Sequence, residues 1–204
     1  MTLPYAVMTP GPVTNTLGTV VRLNLDGTPA AGNPMPDKGG VTPQIWSFGH
    51  RNILGLEFSS DGRLWDIEHG PLGGDELNLV KPGQNYGWPV VSNGIHYDRR
   101  PIPNHDTRPD LAAPAISWNP VIAPGGMIFY RGSHFPQWKG KVLIAAMKPA
   151  GIVVVEIAGD KAREISRYPM ERRIRAIEQG ADGSVWLLED GADARLLKLT
   201  PRKR

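Results

Sequence analysis

One stretch of this chain occurs twice, and that repetition constrains the fold more than any other feature. Leu56 to Gly70 reads LEFSSDGRLWDIEHG and Ile177 to Gly191 reads IEQGADGSVWLLEDG; the copies are offset by 121 residues and agree at Glu, Asp-Gly, Trp, Glu and Gly. In each, alternating apolar and polar residues flank an Asp-Gly pair, the pattern of strand, tight turn and strand. The same supersecondary unit used twice implies an architecture of repeated small sheets. WKGKVLIAA (138–146) followed by GIVVVEI (151–157) reads as a further hairpin that lacks the Asp-Gly pair. A spacing of roughly sixty residues fits a β-propeller, each blade a small antiparallel sheet, with a β-sandwich as the alternative.

The rest of the chain agrees with an all-β reading. Residues 1–16 look irregular, then LGTVVRLNLDGTP alternates as a strand and ends in a hairpin turn at Asp26-Gly27. Residues 28–43, rich in Pro, Gly and Asn, read as a loop leading to a second strand over Gln44–Phe48. Helical periodicity is arguable only over Ala162–Ile177, where Pro169 interrupts it. The 24 Gly and 20 Pro are spread between apolar runs, as many short strands and turns require, and 40% hydrophobic content in 204 residues suffices for the core of one large β unit. That unit is expected over 17–201, with a basic tail at 202–204.

Several function classes drop out. Net charge is only +3, and the last four residues supply three of the cations, so no nucleic-acid partner is expected. No cysteine means no disulfide, thiolate metal site or thiol nucleophile. The N-terminal MTLPYAVMTPGPVTNT has no Lys or Arg and is broken by Pro4, Pro10 and Pro12, which predicts neither a signal peptide nor a membrane span. The five histidines show no HExxH or His-x-His spacing, so no zinc site is expected; GxSxG, Walker and GxGxxG patterns are also missing.

The candidate chemistry begins between Ser47 and Trp88. GHRN sets the permanent cation of Arg51 beside the carboxamide of Asn52, two differently shaped donors for an oxyanion or a quinone oxygen. Glu68, Asp75 and Glu76 bracket Gly70, Pro71, Gly73 and Gly74, a segment able to turn sharply and aim carbonyl oxygens at a hard cation such as calcium. Lys148 follows the strand VLIAAM, either presented at a strand mouth or simply exposed on a turn. Arg173 and Arg175 share one face of a strand, which suits an anion or a solvated edge. Trp118 and Asn119 suit sugar binding or, for the Trp, a place in the core.

Taken together, GHRN, EHGP, GGDELN, KPGQNYGWP and APGGMIFY make the chain similar to the soluble aldose sugar dehydrogenases over about Leu17 to Pro201. The resemblance implies a six-bladed propeller, here an incomplete set of about four blades. It implies pyrroloquinoline quinone (PQQ) and calcium as cofactors, and oxidation of an aldose to a lactone with electrons leaving to a quinone or artificial acceptor. It places quinone and sugar contact on Arg51 and Asn52, the PQQ calcium on the carbonyls of Gly70 and Pro71, PQQ cations at Lys148, Arg173 and Arg175, and a structural calcium at Glu76 and Tyr86. The family's basic histidine lies upstream of the matching region, and no histidine precedes His50, so no catalytic base is expected in this chain. A second chain or self-association is expected to complete the ring, and a periplasmic or secreted location is implied. A calcium-dependent propeller lactonase and a non-catalytic binding module are the alternatives.

Overall fold

The computed structural model describes residues 14–202. The irregular segment expected over 1–16 and the tail at 202–204 therefore fall mostly outside the described residues. Among those residues there is no α-helix, only three 3-10 turns and thirteen strands in four antiparallel sheets. β1 (Thr19–Val21) pairs with β2 (Ile45–Phe48). The next four-stranded sheet runs β3 (Ile53–Phe58), β4 (Leu64–Glu68), β5 (Asp75–Val80) and β6 (Ile116–Trp118). A second runs β7 (Pro124–Phe129), β8 (Val142–Ala146), β9 (Gly151–Ala158) and β10 (Lys161–Pro169). The last has three strands, β11 (Ile174–Gln179), β12 (Val185–Glu189) and β13 (Leu196–Leu199).

Each sheet follows chain order, and the first strands lie side by side, β3 against β7 and β7 against β11. Small meandering sheets stacked face to face about their first strands are the blades of a β-propeller. The apolar alternation of each strand is what joins one blade to the next. Trp65, Ile67, Leu77 and Leu79 meet Met127, Val142, Ile144 and Val153 in one core layer. On the other face of the second blade, Leu143, Ala145, Ile152 and Val154 meet Ile174, Ile177, Val185 and Leu187. The repeated Trp occupies the same register in both copies, Trp65 opposite Glu57 and Trp186 opposite Glu178. Trp65 is wholly buried between two blades, whereas Trp186 is half-buried on the face turned away from them.

The all-β reading holds over 162–177, where β10 alternates exposed and half-buried residues from Lys161 to Arg167 and β11 follows. One expectation needs correction. The Asp26-Gly27 turn forms, with Gly27 at φ +83°, but it closes only a single bridge, Leu23 to Pro29. The strand before it instead pairs with β2 across the long 28–43 loop, because only β2 offers a buried partner face.

A shared irregularity fixes one end of the blades. The register shifts once near the start of each first strand, between Ile53 and Gly55, Pro124 and Gly126, and Ile174 and Ala176. Just before each shift a backbone hydrogen bond ties the first strand to the turn after the second: His69 N–H to Asn52 O, Met147 N–H to Ala123 O and Asp190 N–H to Arg173 O. These bulges give three blades one common rim.

Candidate functional site at the blade rim

The residues singled out in the sequence lie on this rim because they occupy equivalent seats. Arg51 and Asn52 precede β3, Ala123 precedes β7 and Arg173 precedes β11; Gly70 and Pro71 follow β4, Lys148 follows β8 and Asp190 follows β12. Adjacent strands are antiparallel, so the start of the first and the end of the second share one edge of each sheet. Cross-blade contacts then join the seats. His69 Nε2 donates to Pro124 O at 2.7 Å, the carbonyl fixing which ring nitrogen carries the proton. Arg173 Nη2 lies 3.3 Å from Met147 Sδ, beside exposed Lys148. A Cβ on Gly125 would stand 2.2 Å from Arg175 O, so the second and third blades touch backbone to backbone.

Arg51 is held on several sides. Its Nη1 donates to His69 O at 3.0 Å, its guanidinium carbon lies 5.2 Å from the Trp88 ring centre, and the backbone N–H groups of Arg51 and Asn52 both donate to Glu68 Oε2, at 2.7 and 3.2 Å. The Asn52 side chain is exposed at the rim. Arg173 and Arg175 share a face as expected, and both bond Asp190, at 2.7 and 3.1 Å, holding its carboxyl below the usual carboxylate range. Two guanidiniums on one carboxylate leave a net cation and unused donors.

The acidic segment keeps its three carboxylates at the ends of strands, bracketing the glycine-rich turn. Glu68 ends β4, and Asp75 and Glu76 open β5, so only residues 69–74 are loop. Asp75 is a latch: its Oδ1 accepts from Gly70 N–H at 3.0 Å and its Oδ2 from Ile122 and Ala123 N–H at 2.9 and 2.7 Å. What remains for a cation there is backbone oxygen. A Cβ on Gly70 would sit 2.2 Å from Gly73 O and 2.3 Å from Gly74 O, so the turn folds back on itself too closely for any residue but glycine there.

Glu76, Tyr86, Glu68 and His105 line a small, partly open cavity of about 10 Å³, room for one water or bare ion. Burial pushes the Glu76 carboxyl up to about 7, against the opposing pull of His105, whose Nε2 is 3.4 Å away. The Tyr86 hydroxyl donates to Leu79 O and accepts from Lys81 N–H, so its carbonyl is the oxygen left for an ion. Trp118 is a core residue, its indole N–H bonded to Glu164.

One cluster escaped the sequence reading. His50 Nδ1 lies 3.2 Å from Asp66 Oδ2 and 3.6 Å from Glu68 Oε1, and its Nε2 is 2.9 Å from Ser47 Oγ, all buried. Burial alone would lower the imidazole pKa, but Asp66 and Glu68 overcome it and raise it to about 10. Histidine spacing could not find this, because the partners sit on another strand. The signal was the polar alternation itself: Asp66 and Glu68 on β4 pair across the sheet with Asn78 and Glu76 on β5, a hydrophilic face inside a core.

The glucose/sorbosone dehydrogenase family model matches residues 8–198. The chain belongs to that family. It is 38% identical over 192 residues to the aldose sugar dehydrogenase YliI of Escherichia coli, covering 91% of this chain and 51% of that protein. The apo form of the soluble aldose sugar dehydrogenase of Escherichia coli superimposes with a TM-score of 0.82 at 36% identity, over 91% of this chain and 55% of that one. The PQQ-bound aldose sugar dehydrogenase of Streptomyces coelicolor matches with a TM-score of 0.69 at 26% identity, over 90% and 52%. The chain thus spans about half the length of these glucose/sorbosone dehydrogenase relatives. Its rim carries Lys148, Arg173 and Arg175 at the ends of the second and third blades and Arg51 with the Gly70–Pro71 turn at the end of the first.

Proposed function

We propose that this chain forms the cofactor wall of a PQQ-dependent aldose dehydrogenase, which oxidises an aldose at its anomeric carbon to a lactone. The observation that carries this reading is the convergence, on one rim of three blades, of Arg51–Asn52, the Gly70–Pro71 turn, Lys148 and the Arg173–Arg175 pair. PQQ bound there would supply an ortho-quinone that accepts the hydride from the anomeric carbon. Lys148, Arg173 and Arg175 would neutralise its carboxylates, the carbonyls of Gly70 and Pro71 would hold its calcium, and Arg51 would offer a hydrogen bond to its quinone oxygen. Glu76 and the Tyr86 carbonyl would hold a structural calcium, whose charge would favour the ionised form of the buried carboxyl.

The anomeric hydroxyl proton needs an acceptor. His50 is sealed in its ion cluster and His69 donates to Pro124 O, so we assign the base to no residue of this chain and expect weak or absent turnover by it alone. Electrons leave to a quinone or artificial acceptor, the compartment is periplasmic or secreted, and a second chain or self-association completes the ring. A propeller lactonase wants several carboxylates aimed at one metal. Glu68 and Asp75 are instead spent on backbone N–H groups, which gives that alternative less support.

The test is titration of the purified chain with PQQ, with calcium and with a chelator, followed by glucose. Binding should require calcium, and each charge-assisted contact is worth about 1.5–3 kcal/mol, so Arg173→Ala or Arg175→Ala should weaken it roughly 10- to 150-fold. PQQ binding indifferent to calcium and to both arginines would sink the reading. Reduction of bound PQQ by glucose would mean that the chain does carry a base.

A further inference from the structure

Next to Arg51 stands an aromatic residue that no motif singled out. Residues 96–100 form a tight hairpin, with His96 N–H bonded to Arg100 O at 3.0 Å and Arg99 N–H to His96 O at 2.8 Å. Ile95 and Leu72 exchange both backbone hydrogen bonds at 3.0 Å, and a Cβ on Gly74 would fall 2.4 Å from Gly94 N. The hairpin is therefore clamped onto the same turn that carries Gly70 and Pro71. Its tip presents Tyr97, whose side chain is 72% exposed, with Oη 3.3 Å from Arg51 Nη2 and the ring centre 5.9 Å from the guanidinium carbon.

A large aromatic ring left in water on a backbone this constrained covers no core, so its exposed face is available to a ligand. A pyranose offers the matching chemistry: a flat patch of C–H bonds on one face and hydroxyls around its edge. It needs an aromatic surface with a planar donor beside it, which is what Tyr97 and Arg51 present together. We infer that Tyr97 is a sugar-binding residue, forming with Arg51 the subsite on which the aldose ring stacks. This rests on the proposed function and adds to it the surface that orients the sugar. The Tyr97 hydroxyl fixes the outer nitrogen of Arg51, and the ring supplies the contact.

Saturation-transfer NMR titration with glucose, on the full chain with PQQ and calcium and again without PQQ, reads sugar binding without turnover; PQQ affinity is measured in parallel. Tyr97→Ala should weaken glucose binding at least tenfold, Tyr97→Phe less than threefold, and neither should change PQQ affinity more than twofold. Unchanged thermal unfolding would confirm that the exposed tip tolerates both. Wild-type glucose affinity in Tyr97→Ala overturns the subsite, as does a parallel loss of glucose and PQQ affinity, which would make Tyr97 only a prop for Arg51. If the wild-type chain binds PQQ but no glucose, the subsite fails and the cofactor reading stands. If it binds neither, the cofactor reading fails first.

Discussion

His50 sits immediately before the Arg-Asn pair, and its ion cluster anchors the start of β3: Glu68, which pairs with the imidazole, also receives the N–H groups of Arg51 and Asn52. Because folding raises the His50 pKa from 6.5 to about 10, the stabilisation is complete below pH 6.5 and fades as pH climbs toward 10. Asp66, raised by burial to about 6, has already titrated below that window. Replacing His50 with Gln leaves two buried carboxylates without their cation, a loss of about 3–5 kcal/mol near neutral pH. Urea unfolding at pH 7 and pH 10 would measure this, and an equal deficit at both values would refute the charge argument. At this scale the sequence was legible where function is written in adjacent residues, as in Arg51–Asn52. It was opaque where strand pairing makes the group, as in His50 with Asp66, or where a turn's own hydrogen bonds consume a carboxylate, as at Asp75.

The hairpins were readable because both halves of their signal are local: alternating apolar residues and an Asp-Gly pair whose glycine takes positive φ, at Gly62 and Gly183. The pairing of β1 with β2 was not, since the partners are separated by the 28–43 loop and nothing local names one to the other. Nor do the bulges show in the sequence, although they aim the rim. Gly125 tests their role. A Cβ there meets only backbone of Arg175, whereas at Gly126 the nearest atom is Leu54 O at 3.9 Å. Gly125→Ala should therefore cost about 3 kcal/mol by forcing β7 from β11. It should also weaken PQQ binding through displacement of Arg173 and Arg175, while Gly126→Ala stays near wild type. Matching effects in the two variants, by thermal melt and PQQ titration, would argue against backbone contact as the link between blades.

The architecture as a whole followed from the repeat, because a unit that recurs with the same Trp register must stack with its like. What the repeat could not supply is the difference between its copies: Trp65 sealed between blades, Trp186 at an outer face. The outer faces are apolar. Leu56 and Phe58 are 45% and 58% exposed along an open groove of about 690 Å³ beside β1 and β2, and Leu188 and Leu196 are 41% and 65% exposed on the last blade. Phe58→Ser with Leu196→Ser should reduce self-association in sedimentation velocity, with little loss of stability because neither side chain is buried. An unchanged association state would remove these faces as the interface. The rim has a consequence of another kind. Its three blades are held together by side-chain packing and a few backbone touches, and among the described residues no hydrogen-bonded ladder runs from one of these sheets to the next. A ligand that gripped the carbonyl turn of one blade, Lys148 of the next and the arginines of the third would work as a rivet through all of them. Its occupancy would then add to the stability of the stack, by an amount that grows as its free concentration rises above its Kd.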